Sequence, residues 1–148
     1  MREAARLKDG LRILEEYFDG KPWSYENQEK FLKLLQQENI YKAGETKSSK
    51  QVEQHGRIWS SAFNELGFAT CYKKGNKYVS GGVNITKAGK SLLSDDYVEE
   101  DVWLRQLLKV QLPNPLPQKS ENQYPQFHLL PFQATLGVIK ACDGISKE

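Results

Sequence analysis

The first half of the chain is predicted to form three amphipathic helices, because apolar residues recur there every three or four positions. The first helix is predicted at about 3–18, and the second follows Ser24, whose hydroxyl suits an N-cap. The third is predicted at about 49–66, with Gly67 placed for a left-handed C-terminal cap. The apolar positions are Leu7, Leu11, Leu14, Phe18, Phe31, Leu32, Leu35, Val52, Trp59, Ala62, Phe63 and Leu66.

The third helix also carries a polar stripe on the side opposite its apolar face. The stripe contains no carboxylate, and its members are Lys50, Gln54, Arg57, Ser61 and Asn64. Arginine and lysine match the acceptors of guanine in the major groove of DNA, and glutamine or asparagine can pair with adenine. We therefore predict that the stripe reads bases, with a merely solvated helix face as the alternative.

After Gly67 the hydrophobic period changes from that of a helix to that of a strand. Short strands are predicted at 68–72 and 78–80, joined by a basic turn at 73–77, with a further brief strand at 83–85. Thr86 is predicted to cap a short helix that runs through Leu93. Three helices followed by a basic β-hairpin predict a mainly α fold with a small β-hairpin (α+β). The order is that of a winged helix-turn-helix, over residues 1–95.

Residues 96–148 are predicted to form a helical extension packed on the winged helix as one compact unit. Acidic residues at 95–101 begin a helix and basic residues fall in its later turns, which complements the helix dipole. The run from Gln106 to Leu116 is predicted to be the buried end of that helix, stopped by Pro113 and Pro115.

A last helix is predicted to begin at Pro131, a residue that suits the first helical position. Its inward-facing residues are predicted to be Phe132, Leu136 and Ile139, and Gly144 is predicted to end it. The residues after Gly144 resemble the start of another helix, so the chain either ends in a frayed tail or was cut from a longer protein.

Charge is distributed unevenly along the 148 residues, although the net charge is only +2. Residues 42–90 contain nine Lys and Arg against three acidic residues, which indicates a polyanion-facing segment or, alternatively, a solvated lysine-rich loop region. The lysines predicted to bind DNA phosphates are Lys47, Lys73, Lys74, Lys77, Lys87, Lys90 and Lys109.

The bulk composition is that of a soluble globular protein. No apolar run approaches the roughly 20 residues of a membrane span. The two cysteines, Cys71 and Cys142, are far apart in the sequence, which argues against a disulfide framework and favours the cytoplasm.

No catalytic residue, metal ligand or cofactor is predicted in this chain. Asp19 with Glu45-Thr46-Lys47 imitates the spacing of a metal-dependent nuclease, but both parts fall in loops with no strand pair to hold them together. His55 is predicted to be a core or boundary residue near Trp59, and His128 lies in a loop.

Five landmarks in order resemble the AlwI-like restriction endonucleases, a group of type IIS cleaving enzymes and site-specific nicking endonucleases. The landmarks span nearly the whole chain. They are Gly20-Lys21-Pro22-Trp23, Leu66-Gly67-Phe68, Ile85-Thr86-Lys87-Ala88-Gly89-Lys90, the run Gln106–Leu116, and Leu130-Pro131-Phe132. Two departures from the family pattern are Val110 in place of a tryptophan and a missing second arginine near Arg57.

The resemblance implies that this chain is the bacterial, cytoplasmic DNA-recognition part of such an enzyme. Cleavage would then belong to a separate C-terminal domain that uses Mg²⁺, and a cognate methyltransferase would protect the host DNA. The expected partner is double-stranded DNA, bound by a monomer or a weak dimer. Two alternatives remain: a stand-alone winged-helix transcription regulator, and a protein-interaction module that docks a partner on the helix at 103–116.

Overall fold

The computed structural model of the chain describes residues 4–41, 49–72, 81–112 and 128–144, without the side chains of residues 49, 50, 52 and 53. The described residues are mainly helical, with one small two-stranded antiparallel sheet. In chain order the elements are α1 (Ala4–Phe18), α2 (Tyr25–Gln37), α3 (Ser49–Leu66), β1 (Ala69–Tyr72), β2 (Gly82–Ile85), α4 (Lys87–Leu93), α5 (Glu99–Leu107) and α6 (Pro131–Ala141). The predicted strand at 78–80 and the basic turn at 73–77 lie outside the described residues.

Local capping confirms the predicted starts of α2 and α4 and the end of α3. The hydroxyl of Ser24 accepts a hydrogen bond from the backbone N–H of Asn27 at 3.3 Å, and Thr86 Oγ1 accepts one from Gly89 at 3.1 Å. Gly67 adopts a positive φ of 70° at the end of α3, a backbone conformation that glycine takes at no steric cost. The chain can therefore turn directly from α3 into β1.

An aromatic cluster joins the first three helices. Phe31 of α2 makes edge-on contacts with Phe18 at 5.8 Å, with Trp23 at 5.7 Å and with Trp59 of α3 at 5.9 Å between ring centroids. Phe63 continues the cluster along α3, 5.9 Å from Trp59. Such pairs contribute about 0.5–1.5 kcal/mol each beyond the burial of apolar area. The inner face of α3 is thus held rigidly, which also fixes the direction of its outer face.

Both edges of the sheet are satisfied by other parts of the chain. Cys71 of β1 lies opposite Val83 of β2, and the backbone groups of both residues point away from the partner strand. On the β2 side, Gly20 N donates to Val83 O at 2.9 Å, and Val83 N donates to Lys21 O at 2.8 Å. The turn after α1 therefore lies beside β2 as a third extended segment would.

The N-terminal part of α5 is attached to the helical core. Lys8 Nζ lies 2.5 Å from Glu99 Oε2, and Trp103 Nε1 donates to Glu99 Oε1 at 3.2 Å. The Trp103 ring packs edge-on against Phe68, with 4.8 Å between centroids. Val102 is buried in the same region.

The predicted end of α5 was wrong. The helix ends at Leu107, well before the prolines, because its last turn tightens into bonds from Lys109 N to Gln106 O and from Val110 N to Leu107 O. The chain is then drawn away from the helix axis by an isolated antiparallel bridge between Leu112 and Leu129. Within the described part of the run, residues 106–112, no residue is buried, so this part is not buried as predicted.

The last helix begins at Pro131 as predicted, but of its three expected inward residues only Ile139 is half-buried and the other two are exposed. Phe132 and Leu136 are 42% and 52% exposed, and α6 contains no buried residue. A hydrogen bond from Gln133 Nε2 to Leu108 O at 3.0 Å ties α6 to the residue that follows α5. Within the described part of the chain, no helix is both long and apolar enough to cross a membrane.

Candidate nucleic-acid interface

The two sides of α3 differ sharply in exposure. Trp59 and Phe63 are each 1% exposed, whereas Gln54, Arg57 and Ser61 are exposed on the other side. The separation follows from the helical period, because residues three, four and seven apart share a face. Three members of the predicted base-reading stripe thus lie together on the outer surface of a rigidly packed helix. The side chain of Lys50, a fourth member, lies outside the described residues.

Asn64, the fifth member of the stripe, is directed toward the sheet. Its Oδ1 accepts a hydrogen bond from the backbone N–H of Cys71 at 2.8 Å, and its Nδ2 donates to Cys71 O at 3.5 Å. The side chain is partly buried. Asn64 therefore fastens α3 to β1, and its side chain is not part of the exposed stripe.

The outer surface of α3 also contains residues beside the stripe. Ile58 is 46% exposed, and Glu65 is exposed one turn beyond Ser61. A carboxylate at that end repels phosphate, whereas an exposed aliphatic side chain can contact the methyl group of thymine. The surface is consequently most favourable to DNA in its middle, around Arg57.

His55 connects α3 to the segment that precedes it. Its Nδ1 is hydrogen-bonded to the hydroxyl of Tyr41, and the two rings pack edge-on at 5.3 Å. His55 is half-buried, as expected of a boundary histidine. The contact holds Tyr41, which follows α2 in the chain, against α3.

Three of the seven predicted phosphate-binding lysines lie within the described residues. Lys87 and Lys90 are exposed on α4, and Lys109 is exposed just after α5. Lys47, Lys73, Lys74 and Lys77 lie outside the described residues.

Lys87 begins α4, and Lys109 follows α5. Both helices approach the C-terminal end of α3. Thr86 Oγ1 donates to Gly67 O at 2.6 Å, so α4 and Lys87 start beside that end. Gln106 of α5 also approaches Gly67, since its Oε1 would lie 3.2 Å from a Cβ placed there.

A second group of lysines was missed: Lys21 follows α1, and Lys30 and Lys33 lie on α2. A groove of about 470 Å³ between α1 and α2 is lined by Tyr17, Phe18, Lys21, Asn27, Lys30, Lys33, Leu34 and Gln37. On α2 the charges are matched, because Lys30 pairs with Glu26 at 2.7 Å and Lys33 with Glu29 at 2.8 Å. The i, i+4 spacing of these pairs is the sequence signal that could have located this surface.

Of the residues that imitated a nuclease centre, Asp19 is the one that lies within the described part of the chain. Asp19 Oδ1 accepts a hydrogen bond from Ile85 N at 2.9 Å, so it helps to hold the edge of β2. Glu45 and Lys47 lie outside the described residues, and the described part of the chain contains no group of three His, Cys, Asp or Glu placed to hold a metal.

The two cysteines differ in their exposure to solvent. Burial raises the pKa of the Cys71 thiol to about 12, whereas Cys142 is exposed after α6. His128 is exposed in the connection before α6, and Gln111 Nε2 lies 2.9 Å from its Nδ1.

The landmarks quoted from the sequence serve the fold in identifiable ways. Trp23 is buried in the aromatic cluster, Gly67 ends α3, and Thr86 caps α4. These roles are structural and do not by themselves indicate a family. Comparison of the chain with protein-family models, with curated proteins and with solved structures finds no match.

Proposed function

We propose that this chain recognises double-stranded DNA by placing the outer face of α3 in the major groove. The observation that carries the proposal is the exposure of Gln54, Arg57 and Ser61 on one side of α3, while Trp59 and Phe63 anchor its other side. A rigid helix with a polar outer face fits the major groove, which is about 12 Å wide.

A winged-helix arrangement is supported by the order and pairing of the elements. Three helices precede the antiparallel pair of β1 and β2, and the Gly20–Lys21 turn between α1 and α2 bonds to Val83. A short third strand between the first two helices would make the same bonds. In this arrangement α3 is the recognition helix, and the segment between β1 and β2 is the wing.

The chemistry of each side chain indicates which part of the DNA it would contact. Arg57 can donate two hydrogen bonds to one guanine, Gln54 can pair with adenine, and Ser61 can serve as donor or acceptor. Lys87, at the start of α4, would contact phosphate and fix the depth of α3 in the groove. The lysines of the wing segment would extend the phosphate contacts along the duplex.

The larger protein that we propose is a type IIS restriction or nicking endonuclease, of which this chain is the recognition part. Five ordered landmarks resembling the AlwI-like enzymes support this assignment. The remainder of that enzyme would then bind Mg²⁺ and cleave the DNA strand. A separate methyltransferase would protect the host DNA. We assign no catalytic step to the residues of this chain.

The test begins with selection of bound sites from randomised duplexes, followed by titrations at several salt concentrations. Affinity should fall steeply with salt, because each phosphate contact adds about 0.9 to the logarithmic slope. Arg57→Ala should cost about 1–3 kcal/mol on the selected site and relax the preference at one position.

Arg12→Ala is the matched control, because Arg12 is an exposed arginine on α1 that bonds to Asp9. It should leave both affinity and site preference unchanged. Binding that is absent or insensitive to salt would refute the DNA proposal. An unchanged preference in Arg57→Ala would remove Arg57 from base reading.

A second candidate function is that of a stand-alone winged-helix transcription regulator. The apolar residues exposed on α5 and α6 favour it, since such regulators often bind two half-sites as symmetric dimers. Selected sites would then be palindromic, whereas a type IIS enzyme is expected to select an asymmetric site. Nicking or cleavage of duplex DNA by the natively expressed protein with Mg²⁺ would decide for the endonuclease.

A further inference from the structure

Ile58 is an exposed aliphatic residue in the middle of the polar outer face of α3. It is 46% exposed, and it lies four residues after Gln54 and three residues before Ser61, both of which are exposed. Residues at these spacings are neighbours on one side of a helix, with about 5–6 Å between their Cβ atoms. Ile58 therefore lies between two side chains that can hydrogen-bond to bases.

Neither core packing nor helix propensity accounts for an isoleucine at this position. Ile58 lies outside the buried core and outside the partly buried apolar residues that pack against it. A β-branched side chain is also a weaker helix former than alanine, lysine or glutamine. Among the described side chains before α5, the other exposed large apolar residues are Tyr17 and Tyr25, and each of those carries a hydroxyl. Of these three residues, Ile58 is the one that offers only hydrocarbon to a ligand.

An aliphatic side chain has one specific apolar target in the major groove, the methyl group of thymine. The other groups that base edges present there are hydrogen-bond donors and acceptors. Arg57 directly precedes Ile58 and is also exposed. Consecutive Cα atoms are about 3.8 Å apart, close to the spacing of about 3.4 Å between stacked base pairs. The two side chains are therefore placed to reach neighbouring base pairs.

We infer that Ile58 is a specificity-determining residue, which contacts the methyl group of a thymine next to the guanine read by Arg57. The inference rests on the proposed function and specifies its target, a duplex site with thymine and guanine in neighbouring base pairs. The contact is apolar and releases no counterion, so its contribution to affinity does not depend on salt. Phosphate contacts differ in this respect, since each of them adds to the salt dependence.

Replacing thymine by uracil tests the contact, because it deletes the methyl group and leaves the hydrogen-bonding groups of the base pair in place. Sites are first selected from randomised duplexes, and the guanine whose preference is lost in Arg57→Ala marks the position of Arg57. Uracil at the neighbouring thymine should weaken binding of the full chain about four-fold, the value for burying one methyl-sized group. Uracil at more distant thymines of the same duplex should leave the affinity unchanged.

Ile58→Ala should bind the thymine and uracil duplexes equally and keep the wild-type salt dependence, because it lacks only the apolar contact. Ile58→Val retains a β-branched hydrocarbon and should keep most of the discrimination. Leu136→Ala on α6 is the matched control, since it also truncates an exposed aliphatic side chain, and it should discriminate as the wild type does. Both Ile58 and Leu136 are about half exposed, so the variants should keep their helical circular dichroism.

The outcomes separate this inference from the proposed function. Salt-sensitive duplex binding with equal affinity for thymine and uracil beside that guanine would overturn the role of Ile58 and leave DNA recognition standing. Discrimination that persists in Ile58→Ala, a selected site with no thymine beside that guanine, or no guanine lost in Arg57→Ala would do the same. Duplex binding that is absent or insensitive to salt would instead refute the proposed function, and this inference with it.

Discussion

The carboxamide of Asn64 bonds to both backbone polar groups of Cys71, accepting from its N–H at 2.8 Å and donating to its C=O at 3.5 Å. One side chain of α3 thereby takes the place that a neighbouring strand would take at the free edge of β1. Unpaired strand edges invite association with other chains, so this contact also protects the sheet. It links the proposed recognition helix directly to the sheet.

Asn64→Ala should destabilise the fold by about 1–3 kcal/mol, because it leaves the backbone groups of Cys71 without their side-chain partner. Urea unfolding monitored by circular dichroism measures the change. Ser61→Ala, three residues earlier on the exposed side, should alter stability by no more than about 0.5 kcal/mol. Asn64→Asp should fall between the two, since a carboxylate can accept from Cys71 N but cannot donate to Cys71 O. Equal stability of the Ala variant and the wild type would contradict the assigned role.

Gly10→Ala should destabilise the packing of α1 against α3. A Cβ at Gly10 would lie 2.6 Å from Cζ3 of Trp59, whose indole is buried in the aromatic cluster and has little room to move. We expect a cost of about 1–3 kcal/mol from overpacking, reduced by the better helix propensity of alanine.

Gly137→Ala provides the matched control within another helix. No heavy atom lies within 4 Å of a Cβ built at Gly137, so only the propensity gain of up to about 1 kcal/mol remains. Thermal unfolding of the two variants should shift in opposite directions. A stable Gly10→Ala protein would show that α1 and α3 are not in such close contact.

The Lys8–Glu99 pair should contribute stability that depends on pH. The hydrogen bond from Lys8 lowers the pKa of Glu99 below its ordinary value of 4.5. A lowered carboxyl pKa means that the folded state binds its proton less readily than the unfolded state. The stabilisation is therefore fully present above pH 4.5 and is lost as the pH falls through the folded pKa.

Lys8→Met should consequently cost about 0.2–1 kcal/mol at neutral pH, a small value because both side chains are partly exposed to water. The cost should shrink in acid, as measured by urea unfolding at a series of pH values. Glu99→Gln keeps an acceptor for Trp103 but removes the charge, so its stability should lose the same pH dependence. A cost that is constant down to the lowest pH would exclude the ion pair as its source.

The two cysteines should differ strongly in reactivity. Because burial raises the pKa of Cys71 to about 12, only about one thiol in ten thousand is ionised there at pH 8. A thiol-specific disulfide reagent should therefore modify one cysteine per native chain, the exposed Cys142, and two in denaturant. Cys142→Ser should abolish the native reaction, and rapid labelling of that variant would contradict the burial of Cys71.

The helices α1 to α4 could be predicted closely because their signals are local. Apolar spacing, the hydroxyls of Ser24 and Thr86, and Gly67 act on neighbours within one turn. The exposure of Gln54, Arg57 and Ser61 could be predicted for the same reason, since it follows from the helical period once Trp59 and Phe63 are assigned to the core.

The end of α5, the surroundings of α6 and the partner of Asn64 could not be predicted in this way. Leu112 leaves the helical path because it pairs with Leu129, and Asn64 turns from the stripe because Cys71 offers it two backbone groups. The sequence alone determined the helices, their caps and the chemistry carried by α3. Only the tertiary structure decided which polar side chains remain available to a ligand and which apolar ones remain uncovered, because both depend on residues brought together from distant parts of the chain.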